Sequence, residues 1–363
     1  MWNMKKIWRN KTNRTNFATY AVVIIGFVIM QTLSSMGMLG SAVKGYLVPV
    51  CAYIVAAVSL NLLVGICGEL SLGHAGFMGI GAFSGIVVAS MLQEAVPNGE
   101  LRLLIAMICG GIVAGVFGFL IGIPTLRLRG DYLAIVTLAF GEILKNVFGN
   151  LYVGMDANGL HVSMITAKFQ LLEGGKMILD GPVGATGIKR ISTFAMGFVL
   201  ILFTLFVVLN LINSKEGRAI KAIRDNRIAA ESVGINVTAF RMKAFVVSAF
   251  LAGMAGVLFG LNMSSLSASK FNFNTSINVL VFVVLGGMGN ILGSVIAATV
   301  LYILPEAMRG LYDYRMILYA VVLIVVMLFT WSPKVKQSMQ VAELWLKEKI
   351  MNLFKKKGGA DNG

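Results

Sequence analysis

The sequence predicts an all-α integral membrane protein of about ten transmembrane helices, some short or glycine-broken, with both termini in the cytoplasm. Three observations predict it. Only 13% of the residues are charged, where a soluble globular protein carries about 25%. Apolar runs near the ~20 residues needed to span a bilayer follow one another along most of the chain and leave no room for a soluble domain. The basic residues cluster between these runs: of 31 Lys and Arg, 21 fall in segments that the span order assigns to the cytoplasm, the bias expected of inner loops.

The elements follow in order. Residues 1–16 form a basic cytoplasmic tail, and the polytopic domain covers residues 17–333. Its spans are expected at about 17–39, 45–67, 71–92, 102–123, 132–149, 193–213 and 242–263. Residues 271–305 contain no charged residue until Glu306. They are too long for one span and are read as two short ones, broken at Gly286-Gly287-Met288-Gly289-Asn290. A last span is expected at 314–331. Residues 150–192 are the longest non-apolar segment and are expected outside. Residues 334–363 form a basic cytoplasmic tail, in which Ala342, Leu346, Ile350 and Leu353 share a helical stripe suited to anionic membrane lipid.

The net charge of +15 predicts no nucleic-acid partner, because the basic residues flank the spans. Cys51, Cys67 and Cys109 lie inside apolar runs and read as small core residues. With His74 and His161 the only histidines, no metal cluster is expected.

One polar interruption, residues 214–237, stands between long apolar runs. It reads as a single cytoplasmic helix: Ser214 as cap, Glu216 in the first turn, Gly234 as the stop. Lys215, Arg218, Lys221, Arg224 and Arg227 recur every third residue, so the charge winds around the helix. Two readings stay open at this point, a basic loop that sets topology and a helix presented to a cytoplasmic partner.

The candidate translocation path is glycine-dense. In the third span it comprises Ser71, Gly73, His74, Gly76 and Gly79; in the second half it comprises Gly286, Gly287 and Gly289. Glycine-broken apolar segments in both halves of a chain point to a transport path. Close helix packing of the GxxxG kind accounts for the same glycines, with Gly81/Gly85, Gly111/Gly115, Gly118/Gly122, Gly256/Gly260 and Gly289/Gly293 as its pairs. His74 either touches substrate or satisfies a nearby carbonyl. Glu142 also belongs to the candidate path, or else forms a local ion pair with Lys145.

No P-loop, GxSxG elbow or HExxH stands in the sequence. The chain is therefore expected to be a transport subunit, not an enzyme, with no catalytic or metal residues and no cofactor of its own. A passive channel or secondary carrier remains an alternative. An intramembrane enzyme would need more convergent polar groups than His74, Glu142 and Lys145 provide.

Several long stretches then carry a resemblance: NLLVGICGELSLGHAGFMGIGA (61–82), LRLRGDYLAIVTLAFGE (126–142), GRAIKAIRDNRIAAESVGINV (217–237), KAFVVSAFLAGMAGVL (243–258) and VLGGMGNILG (284–293). In this order and spacing they resemble the branched-chain amino-acid ABC importer permeases of the LivM type. The resemblance implies a multi-pass subunit of a bacterial inner membrane. Its partners would be a second related permease, two cytoplasmic ATPase subunits that bind ATP and Mg, and an extracytoplasmic substrate-binding protein. It makes residues 214–237 the ATPase-coupling segment, with Glu216, Gly217, Arg218, Arg224, Ala229, Ala230, Glu231 and Gly234 at the interface. The family's G-G-P-N-G-[LI] element is replaced here by Met155-Asp156-Ala157-Asn158-Gly159-Leu160. The resemblance implies a branched-chain amino acid as the solute, and this departure keeps urea, amides or another small solute as alternatives.

Overall fold

The computed structural model describes residues 11–38, 40–128, 130–156, 159–164 and 175–307, together with Ile317, Ala320, Val321 and Ile324. The expected span at 314–331, the C-terminal tail and the first ten residues lie outside these, apart from the four residues just named. The chain divides after Ile303 into two compact units. In the second, the described residues complete the helix begun before Ile303 and give helical backbone at the four isolated positions.

In the first unit, α1 is Lys11–Ser35 and α2 is Ser41–Asn61, which runs directly into a π-helical turn at Leu62–Cys67. Gly68 closes that turn at φ +77°, a left-handed conformation that glycine adopts at little cost. After an irregular stretch come α3 (His74–Met91), α4 (Gly99–Thr125) and α5 (Asp131–Gly149). Next are α6 (Phe194–Asn213), α7 (Lys215–Asp225), α8 (Arg227–Ser232), α9 (Val237–Gly260), α10 (Phe273–Gly286) and α11 (Ile291–Ala307). Among the described residues, seven helices are long and apolar enough to cross a membrane, and α10 and α11 are shorter apolar helices. Polar side chains set several starts: Asn98 Oδ1 accepts from Glu100 N (3.0 Å), Asn236 Oδ1 from Ala239 N (3.1 Å) and Asn272 Oδ1 from Thr275 N (3.0 Å).

Three expectations are corrected. The segment between α5 and α6 is not a plain loop in an all-α protein. It carries β1 (Tyr152–Asp156), β2 (Gly159–Ser163), β3 (Lys176–Asp180) and β4 (Gly184–Thr186), which join β5 (Ser265–Leu266) in an antiparallel sheet of order β2-β1-β3-β4-β5. The strands alternate too briefly to register against the apolar runs around them. The third span begins at His74, because residues 68–73 are taken up by the exit from the π turn. The basic helix expected at 214–237 is two helices: Asn226 is extended (φ −155°, ψ 104°), and its side chain accepts from Ala229 N (3.0 Å) to start α8 afresh.

The core sits where α3, α4 and α9 meet without side chains between their backbones. A Cβ on Gly81 would stand 2.1 Å from Gly253 O, one on Gly253 2.4 Å from Ala114 Cβ, and one on Gly256 1.9 Å from Met78 O. Small residues allow this close approach, and dispersion contacts then hold the helices where lipid gives no hydrophobic advantage. Gly289/Gly293 is not a pair of this kind: Gly289 lies in the turn between α10 and α11, and Gly293 faces the carbonyl of Gly286 across that turn.

Overpacking should expose this dependence. Gly256→Leu should cost at least about 1–3 kcal/mol and lower the melting temperature of the detergent-solubilised protein. Gly26→Leu on α1, where a Cβ meets nothing within 4 Å, should leave it unchanged.

Candidate functional site

The basic element α7–α8 is held at the end of the helix bundle opposite the sheet. α6 runs from Thr193 beside β4 to Asn213, and Ser214 caps the next helix by accepting from Gly217 N (3.1 Å). Gly217 is buried against the last carbonyls of α6, where a Cβ would stand 2.2 Å from Leu211 O. Glu216 forms an ion pair with Lys243 on α9. Ile223 and Ala230 are buried together with Val237, with Ile235 and Phe240 packed against them.

The eight residues expected to couple therefore divide. Gly217 and Ala230 face inward, Glu216 is tied to α9, and Arg224 reaches back into the bundle. Arg218 Nη1 donates to Asn213 O (3.5 Å). Ala229, Glu231 and Gly234 are exposed on α8 and its exit. Beside them stand Ile228 and Val233, 79% and 74% exposed and not among those eight. The signal was present as apolar residues in a charged stretch, but their direction depends on the break at Asn226.

Arg224 Nη1 donates to Gly65 O in the π turn (2.8 Å), while Arg224 Nη2 lies 3.1 Å from Asp225 Oδ1. Gly65 in turn lies against the turn between α10 and α11, and a Cβ there would stand 2.1 Å from Gly289 N. Asn61 occupies the same point. Its Oδ1 accepts from Gly289 N (2.8 Å), and its Nδ2 donates to Asn290 O (3.1 Å) and Ser294 Oγ (2.7 Å). Gly287 and Gly289 adopt φ +92° and +84° in this turn.

A buried ion pair secures the neighbouring edge. Arg241 on α9 is 4% exposed, binds the carboxylate of Glu69 after the π turn, and donates from Nη1 to Leu126 O at the end of α4 (3.4 Å). Arg241 Nε is buried with no hydrogen-bond partner among the described residues. Burial pushes the Glu69 carboxyl above the usual carboxylate range, against the pull of Arg241 and, more weakly, of Arg227 on α8.

The candidate path residues lie in the stretch before α3, on α3, on α5 and at the α10–α11 break. Ser71 is fully buried, and its Oγ has no hydrogen-bond partner among the described residues. Gly73 and Gly76 lie against Thr137 and Gly141 of α5, and Gly79 against the Phe271 ring. His74 is buried with Nε2 2.9 Å from Ser59 Oγ on α2. Gly286 lies against the backbone of Gly293. Glu142 forms the ion pair with Lys145, and its Oε1 also accepts from Phe273 N (3.2 Å), tying α5 to the first turn of α10. No group of three or more metal-ligating side chains occurs among the described residues.

The family profile described as "Branched-chain amino acid transport system / permease component" matches residues 42–330. The chain is 34% identical over 305 residues to the high-affinity branched-chain amino acid transport system permease protein LivM of Salmonella typhimurium, covering 81% of this chain and 70% of that protein. It is 23% identical over 280 residues to the corresponding LivH permease of Escherichia coli, covering 76% and 88%. The nucleoside ABC transporter permease protein NupC of Lactococcus lactis is 24% identical over 206 residues, covering 54% and 60%. No solved structure matches. With its several membrane-crossing helices, the chain is a multi-pass membrane permease, and it belongs to the branched-chain amino acid transport system permease family.

The Glu69–Arg241 pair generates a double-mutant prediction. Arg241→Met alone should cost up to about 3 kcal/mol, the low end for breaking a buried pair, because Glu69 keeps 15% exposure. Glu69→Gln combined with Arg241→Met should recover much of that loss in thermal unfolding of the detergent-solubilised protein.

Proposed function

We propose that this chain is one permease subunit of an ATP-driven importer that moves a branched-chain amino acid inward across a bacterial inner membrane. The observation that carries the reading is the two-faced element α7–α8: one face is clamped to the bundle through Arg224, Glu216 and Gly217, while the other presents Ile228, Ala229, Glu231 and Val233 to solvent. Large apolar side chains exposed on a capped, well-anchored element suit a protein partner. In this reading that partner is an ATPase subunit, which brings ATP and Mg. The α7–α8 end is then cytoplasmic and the sheet faces outward, where a substrate-binding protein delivers the solute. Similarity to both LivM and LivH supports a second, related permease alongside this one. The chain itself supplies the path and takes no part in the hydrolysis.

ATP-driven closure of the partners would displace α8, and α7 would pass that movement into the helices it grips. The identity to the LivM protein favours branched-chain amino acids over urea, amides or nucleosides as the solute.

Uptake of radiolabelled leucine, isoleucine, valine, urea and a nucleoside by the complex reconstituted in vesicles tests this directly. Uptake of the branched-chain amino acids should require ATP, and ATP-independent uptake by this chain alone would overturn the reading. Ile228→Glu with Val233→Glu should abolish both ATPase co-purification and uptake while the subunit still reaches the membrane.

A further inference from the structure

Asn61 is a fully buried amide at the end of a mostly apolar helix. Both its functional atoms are used, and all three of its partners lie in one other segment: Gly289 N, Asn290 O and Ser294 Oγ. Polar groups at such depth are costly and are retained where they do a specific task. A buried side chain needed only for packing would ordinarily be apolar.

The location defines the task. Gly65, four residues on, is in the π turn, and a Cβ there would stand 1.9 Å from Asn61 Oδ1. Carbonyls in the last turn of a helix lack a donor within it, and Gly65 O takes its hydrogen bond from Arg224. The methylene stem of Arg224 covers Gly68, where a Cβ would stand 2.7 Å from Arg224 Cγ. Thus α7, the π turn and the α10–α11 turn meet at one point, with Asn61 closing the third side. Beside the joint lies a half-open cavity of about 300 Å³, its lining including Asn213, Lys221, Gly289 and Asn290. π turns interrupt the regular helical ladder and recur at functional sites.

We propose that Asn61 is a positioning residue for transport: it locks the α10–α11 turn onto the π turn gripped by Arg224, so that displacement of α7 is delivered to α10 and α11. Without it, the π turn absorbs the movement locally. This rests on the reading of α7–α8 as the element that receives the ATPase cycle.

The test measures solute uptake and ATP hydrolysis in the same vesicles, using the assembled complex with its binding protein. If the unaltered complex shows no ATP-dependent uptake, the functional reading fails and not the role of Asn61. Given that activity, Asn61→Leu should leave assembly and ATP hydrolysis near the wild-type level while solute moved per ATP falls about tenfold. Asn61→Asp retains the acceptor for Gly289 N and should restore part of that ratio. Arg224→Ala combined with Asn61→Leu should be little worse than the more severe single change, since both lie on one route. Ser294→Ala, which removes one acceptor and perturbs folding least, should lower the same ratio by a smaller amount and carries the test if Asn61→Leu does not accumulate. An unchanged ratio, or uptake and hydrolysis falling in parallel, would overturn the proposal.

Discussion

In a bilayer, lipid tails satisfy apolar side chains as well as another helix does, so helices associate through close packing and the polar groups they share. The approach of α3, α4 and α9 is the contact on which the rest of this molecule depends. Gly81, Gly110, Gly253 and Gly256 bring three backbones so close that a single added methyl would overlap a carbonyl or a facing side chain. Around that centre α2 is almost wholly buried, whereas α1 presents most of its surface outward. The core therefore owes its form to what its residues lack, and large side chains such as Phe77, Phe83 and Phe245 fill the space around the glycine contacts.

The two ends of this core are treated differently. At one, the sheet β1–β5 and the contact of Glu142 with Phe273 N join the loops after α5 and α9. At the other, single side chains bridge elements far apart in the chain: Arg224 to Gly65, Asn61 to Gly289, Arg241 to Glu69 and Leu126. Each bridge ends on backbone or on a partly exposed carboxylate, which couples position without welding two hydrophobic faces together.

α7–α8 shows how one short basic stretch serves two surfaces. Its arginines do not form a uniform positive face: Arg224 turns inward, Arg227 pairs with Glu231 four residues on, and Arg218 returns to the end of α6. The outward face of α8 and its exit carries Ile228 and Val233 beside Ala229, Glu231 and Gly234. Arg224 ties the element to the π turn, and the exposed surface mixes charged residues with the two apolar side chains.

Class, span order, and the place of the basic element and of the α10–α11 break were legible in the sequence, because hydropathy, charge bias and glycine breaks are local properties that one bilayer-sized window captures. Six spans begin or end within a few residues of the helices observed, and the two short apolar helices stand on either side of the expected break. The residues proposed for coupling and for the path stood out as motifs, but their contacts did not: Arg224 was visible, its hydrogen bond to Gly65 O was not. Asn61, Gly65, Glu69 and Arg241 escaped because their meaning lies in partners remote along the chain; Asn61 and Gly289 are 228 residues apart. The division at Asn226, the sheet and the meeting of the π turn with Arg224 were decided only by tertiary structure. The physical reason is that a hydrogen bond between distant segments leaves no periodic trace in either of them, whereas transfer into lipid acts on every residue of a span at once.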